Sequence, residues 1–256
     1  MIDPKNKIRI SDMGLAKKLE KHQHSFSSQN PGTVGWQAPE WLSGGRQSKK
    51  VDIFSLGCVI FYILTNGEHP FGDKIGRESN IMNGNACDLQ KLSSNNPEAA
   101  HLVSSMISKN PEDRMTCEQV LAHPLFWDIP KKLSFLKDLS DVLEADKNSL
   151  VCVKINIKSQ KVCKNWDKSI SFQLIENMGH YRKYDFNSVV DLMRLIRNKS
   201  NHYNQLPPNL KYTVGSHPVG YFNYFNSRFP NLLIVSYEVF MKHSGTSLKS
   251  QMKNYL

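Results

Sequence analysis

Apolar residues recur along this chain at the spacings of helices, and the period-two alternation of strands is rare. From residue 51 to residue 64 the text VDIFSLGCVIFYIL is interrupted only by Asp52, Ser55 and Gly57, which predicts a helix buried on most sides. Ala99, Leu102, Val103 and Met106 stand at i, i+3, i+4 and i+7, one stripe of an amphipathic helix that ends by Asn110-Pro111. A shorter helix is predicted over 116–122, and 133–143 again has helical period. Ser188-Val189-Val190-Asp191 reads as a capping box, and Val189, Leu192, Met193 and Ile196 form the stripe of the helix it opens. Only residues 7–11 (KIRIS) alternate, predicting a short strand before a loop at Asp12-Met13-Gly14. Residues 17–31 are polar and Ser-rich, hence an exposed loop, while Pro39 predicts a turn within 36–42 and Ser43-Gly44-Gly45 a break after it. The polar stretch 146–167 reads as a long surface connection. The fold class predicted is mainly α.

Composition narrows the class further. The chain has 256 residues, 39% of them hydrophobic and 22% charged, enough for one large or two ordinary domains and unlike a disordered chain. Its longest apolar run falls short of the roughly 20 residues a membrane span needs, and the charged start MIDPKNKIRIS is no signal peptide. Five cysteines without a CxxC pair fit reduced thiols, so the chain by itself is expected to be cytosolic. Charge divides it unevenly. Through Pro130 there are 14 basic and 14 acidic residues, and beyond it 19 basic and 9 acidic, so residues 131–256 carry the whole net charge of +10. A basic half of this kind either meets a polyanion such as RNA or presents a solvated basic surface.

Four short patterns give the first half, residues 1–130, a likeness. Asp12-Met13-Gly14, Ala38-Pro39-Glu40, Asp52 opening an apolar helix, and Arg114 in Pro-Glu-Asp-Arg resemble, in order and spacing, the helical C-terminal lobe of a protein kinase. The resemblance implies ATP or ADP with Mg²⁺ as the family's cofactors and makes Asp12 the carboxylate that holds the metal, although Met13 replaces the family's Phe. It gives Glu40, Asp52 and Arg114 structural parts, with Glu40 pairing Arg114. The Gly-rich loop, the strand Lys and the catalytic-loop Asp of that family all precede Asp12, and this chain has eleven residues there, too few to build phosphoryl transfer. Ser25, Ser27 and Ser28 fall in the activation-loop region and read either as autophosphorylation sites or as ordinary loop serines.

The second half, residues 131–256, carries a rarer likeness. Phe135-Leu136-Lys137-Asp138-Leu139-Ser140-Asp141, Arg197-Asn198-Lys199-Ser200-Asn201-His202-Tyr203 and Tyr224-Phe225-Asn226-Ser227-Arg228-Phe229-Pro230 resemble the all-α kinase-extension nuclease domain. That domain occurs in the inositol-requiring kinase/endoribonuclease of the unfolded protein response and in ribonuclease L, and the text around 11–36 is closer to the former. Metal-free RNA cleavage uses the neighbouring 2′-hydroxyl as nucleophile, so it needs a base, an acid for the leaving 5′-oxygen and donors for the phosphorane. The resemblance implies His202 as the acid, Tyr184 as the 2′-hydroxyl's partner or base, and Arg197 with Asn198 as a phosphate clamp. Asn198 and His202 share a face if the helix opened at Ser188 reaches them. Tyr224, Phe225 and Phe229 are expected in the core.

What the resemblance implies is an endoribonuclease that cuts stem-loop RNA without a cofactor and works as a homodimer or higher oligomer. In full-length relatives it lies on the cytoplasmic side of the endoplasmic reticulum membrane, held there by a part this chain lacks. The competing reading is a catalytically inactive kinase-lobe fragment with an interaction or regulatory role.

Overall fold

Caps written into the sequence set many of the element boundaries. The computed structural model describes residues 4–11, 14, 16, 18, 25, 32–94, 96–179 and 183–256, and among these it is helical, with no strand. The helices are α1 (Pro39–Leu42), α2 (Lys50–Leu64), α3 (Arg77–Asn83), α4 (Gln90–Ser93), α5 (Pro97–Met106), α6 (Cys117–Leu121), α7 (Ile129–Ala145) and α8 (Leu150–Ile157). They continue with α9 (Ser159–Val162), α10 (Phe172–Gly179), α11 (Val189–Asn201), α12 (Pro208–Val214), α13 (Val219–Asn226), α14 (Leu232–His243) and α15 (Thr246–Gln251). Contacts divide the chain into two units, residues 1–92 with 102–117, and residues 93–101 with 118–256. No helix is long and apolar enough to cross a membrane among the described residues.

In the first unit α2 forms where the apolar run predicts it but is not buried on most sides. Ile53, Phe54, Gly57, Cys58 and Phe61 are buried, whereas Leu56, Val59, Tyr62, Ile63 and Leu64 are exposed. Apolar text on all sides sets only what a helix can bury, and neighbours decide which face is covered. Gly57 shows how close the covered face lies: a Cβ there would sit 2.8 Å from both Ile107 Cγ2 and Met106 Cβ. The strand predicted over 7–11 is absent; Ile8 makes only an isolated bridge, and both Ile8 and Ile10 are exposed. A strand exists through its ladder partners, and alternation alone does not supply them. The turn at Pro39 is one helical turn with Pro39 at its first position, where its missing N–H costs nothing.

The Glu40–Arg114 pair forms. Arg114 is 2% exposed and grips Glu40 through two parallel bonds, Nη1 to Oε1 at 2.7 Å and Nη2 to Oε2 at 2.8 Å. Its remaining donors reach the carbonyls of Ser108, Lys50 and Lys109, and its guanidinium lies 5.0 Å from the Phe54 ring centre. Asp52 sits in the first turn of α2, where the helix dipole favours a carboxylate, while partial burial pushes its carboxyl up.

The second unit is built around α7, α11 and α14. Asp128 caps α7 by accepting from Lys131 N at 2.8 Å, and Leu133, Leu136, Leu139 and Leu143 enter the core. The stretch 146–167 is not a surface connection. Ser149 accepts from Cys152 N and starts α8, and Val151, Cys152, Ile155, Val162 and Trp166 are all buried. The many lysines between them hide this pattern in a hydropathy average, because they occupy half-buried or exposed positions of the short helices and of the turns between them. Ser188 opens α11 by accepting from Asp191 N at 3.1 Å, and Val189, Leu192, Met193 and Ile196 are buried as their spacing predicts. The capping box closes on one side only, since Asp191 turns its carboxylate to Asp185 N. Tyr221, Tyr224, Phe225 and Phe229 lie in the core and are unavailable to stack on bases.

Candidate active site

Helix α11 is the platform of the site. It runs to Asn201 with His202 as its C-cap, and His202 N donates to Asn198 O at 3.1 Å, so Asn198 and His202 do share a face. Tyr184 comes from the segment before the helix. Trp166 anchors that segment: its backbone N–H donates to Phe186 O at 3.1 Å and its indole N–H to Ser188 O at 3.0 Å. The two parts meet where Asn198 Nδ2 donates to the Tyr184 hydroxyl at 3.1 Å. A cavity of about 440 Å³ is lined by Tyr184, Asn198, Lys199 and His202, with Asn177, Met178, Gln205 and Leu206 completing its wall. Three of the four residues named from the sequence therefore converge on one cleft.

Arg197 does not line it. The arginine is buried, ion-paired to Asp141 Oδ1 at 3.0 Å and to Glu144, and hydrogen-bonded to Ser140 O. It reaches the cleft through its neighbour, because Nε and Nη2 donate to Asn198 Oδ1 at 3.2 and 3.0 Å. With its oxygen held from behind, the Asn198 amide presents its NH₂ to Tyr184.

Lys199 is the cleft residue that the sequence motifs alone did not single out. Its ammonium donates to Asn177 O at 3.2 Å and also to Asn177 Oδ1, and burial pushes its pKa down. The signal was its spacing: one residue after Asn198 and three before His202, it falls on the same side of α11. The cleft thus combines a phenol, an amide donor, an ammonium and an exposed imidazole around one space. That set matches the demands of transesterification at phosphorus: an oxygen beside the nucleophile, donors for the equatorial oxygens and a proton source for the leaving group.

Asp12, Ser27 and Ser28 lie outside the described residues. Ser25 is described and half-buried in irregular backbone. Mg²⁺ and ATP therefore enter no step below.

Comparison with known proteins places both halves. Residues 1–126 match the family model of the protein kinase domain and residues 132–256 that of ribonuclease 2-5A. The chain is 45% identical over 240 residues to the serine/threonine-protein kinase/endoribonuclease IRE1 of Oryza sativa subsp. japonica, covering 93% of this chain and 27% of that protein. It is 38% identical over 281 residues to the "Sensor for unfolded proteins in the ER ire1" of Schizosaccharomyces pombe, covering 98% and 26%. To the serine/threonine-protein kinase/endoribonuclease IRE2 of Homo sapiens it is 39% identical over 251 residues, covering 94% and 27%. The chain spans about a quarter of the length of these relatives.

Proposed function

We propose, from the premise that this chain belongs to the serine/threonine-protein kinase/endoribonuclease family, that residues 131–256 cut stem-loop RNA and act in the unfolded protein response. The observation that carries this is the convergence of Tyr184, Asn198, Lys199 and His202 on one cleft. The 2′-hydroxyl adjacent to the cut attacks phosphorus and passes its proton to Tyr184 acting as the phenolate, whose oxygen accepts the bond from Asn198 Nδ2. Asn198 and Lys199 take the charge that develops on the phosphorane, with Arg197 acting behind Asn198. His202 hands a proton to the departing 5′-oxygen, leaving a 2′,3′-cyclic phosphate on one fragment and a 5′-hydroxyl on the other. Residues 1–130 are read as a kinase lobe fastened by the Glu40–Arg114 pair, with ATP and Mg²⁺ belonging to the complete kinase.

The experiment that tests this pairs a stem-loop RNA with the same RNA carrying a 2′-deoxy group at the cut site. The deoxy substrate is expected to survive, and EDTA to leave cleavage of the ribose substrate unchanged. Equal cutting of both RNAs removes the 2′-hydroxyl mechanism. Activity lost in chelator and restored by Mg²⁺ points to a metal nuclease instead.

The family reading also makes the working form a homodimer or higher oligomer, on the cytoplasmic face of the endoplasmic reticulum. Cleavage is expected to rise more steeply than linearly with protein concentration, because pairing must overcome the repulsion between chains of net charge +10. Initial rates over a hundredfold range of protein, with sedimentation of the same samples, check it. A linear rate from a monomer means that one domain cuts alone.

A further inference from the structure

Tyr184 sits between Lys183 and Asp185, and the backbone on both sides of it is tied to one turn of α11. Arg194 Nη2 donates to Lys183 O at 2.8 Å. Asp191 Oδ2 accepts from Asp185 N at 2.7 Å and pairs with Arg194 Nη2 at 3.3 Å. The Arg194 guanidinium carbon lies 4.7 Å from the centre of the Tyr184 ring, and Trp166 meets the ring edge-on at 6.2 Å. We propose that Arg194, braced by Asp191, is a positioning residue for Tyr184: it fixes the phenol oxygen over the cleft through the two backbone bonds and the cation–π contact. The inference rests on the reading of Tyr184 as a group at the reacting atoms.

Three features separate this from an ordinary helix ion pair. Asp191 and Arg194 stand three apart on α11 and pair with each other, yet both also reach out of the helix, to the residues immediately before and after Tyr184. Arg194 Nε is buried without a hydrogen-bond partner among the described residues, so the side chain is placed for the Tyr184 segment and not for its own full satisfaction. The arginine is only 14% exposed, pairs with Asp191 and lies over the Tyr184 ring, so most of its charge is already engaged. Position matters here because a displacement near 1 Å at a reacting group can cost about a hundredfold in rate.

The test compares Arg194→Met and Arg194→Lys with the wild-type chain in two measurements. In single-turnover RNA cleavage, Arg194→Met is expected to lose between about tenfold and a hundredfold in the rate at saturation, with KM within about twofold. Arg194→Lys keeps a cation over the ring and is expected to recover part of that loss. Hydrogen exchange of the Asp185 amide should quicken by about tenfold in Arg194→Met while the amides of α11 stay protected. An unchanged saturating rate overturns the proposal. So does a raised KM with a shallower salt dependence, which makes Arg194 an RNA contact, and so does unchanged exchange at Asp185. If the wild-type chain cuts no RNA, the proposed function fails, and the exchange measurement alone then decides whether Arg194 positions the Tyr184 segment.

Discussion

His202→Ala is expected to lower RNA cleavage by about 10²- to 10⁴-fold, the contribution of a well-placed general acid. The imidazole is exposed on the cleft wall, and its backbone N–H, not its side chain, caps α11 by donating to Asn198 O. Alanine keeps that backbone bond, so helicity by circular dichroism should match the wild type. A second substrate makes the assignment specific. Replacing the bridging 5′-oxygen with sulfur gives a leaving group that needs no proton, so the loss in His202→Ala should largely vanish on it. A variant that cuts the oxygen substrate at the wild-type rate removes His202 from the reaction. A variant equally slow on both substrates moves it from acid to another role.

Arg114→Met is expected to destabilise the first unit by about 3–5 kcal/mol, the scale for removing one partner of a buried ion pair. The size follows from what is left behind. Glu40 is nearly buried and would lose both parallel bonds, and the carbonyls of Ser108, Lys50 and Lys109 would each lose a donor. The double variant Glu40→Gln with Arg114→Met should recover part of the loss, since a neutral amide costs less to bury than an unpaired carboxylate. Urea unfolding followed by exchange protection of the α2 amides reads both. A loss below about 1 kcal/mol would class the pair with exposed surface bridges, whose contribution is of that order.

Tertiary structure decided features that local text could not carry. Whether α2 is covered on one face or several depends on which segments pack against it, and a run of apolar residues reads alike in both cases. The lysines of 147–168 mask α8 because side-chain averages ignore that a Lys can shelter an apolar helix while its charge stays in water. The alternation at residues 7–11 promised a strand, and only the isolated bridge at Ile8 forms.

The sequence by itself determined the helical class, the cap at Ser188, the stripe of α11 and the shared face of Asn198 and His202, because caps and period are local and a helix fixes i to i+4 neighbours. Only the tertiary structure decided that Arg197 faces Asp141 and Glu144 behind Asn198, that Lys199 enters the cleft held by Asn177, and that Arg194 and Asp191 fasten the two neighbours of Tyr184. Those facts join residues 6 to 56 positions apart, and no local spacing encodes which way a side chain turns when two elements meet. Burial of α11 against α7 sends Arg197 inward, and the same packing leaves Asn198 and His202 facing the cleft.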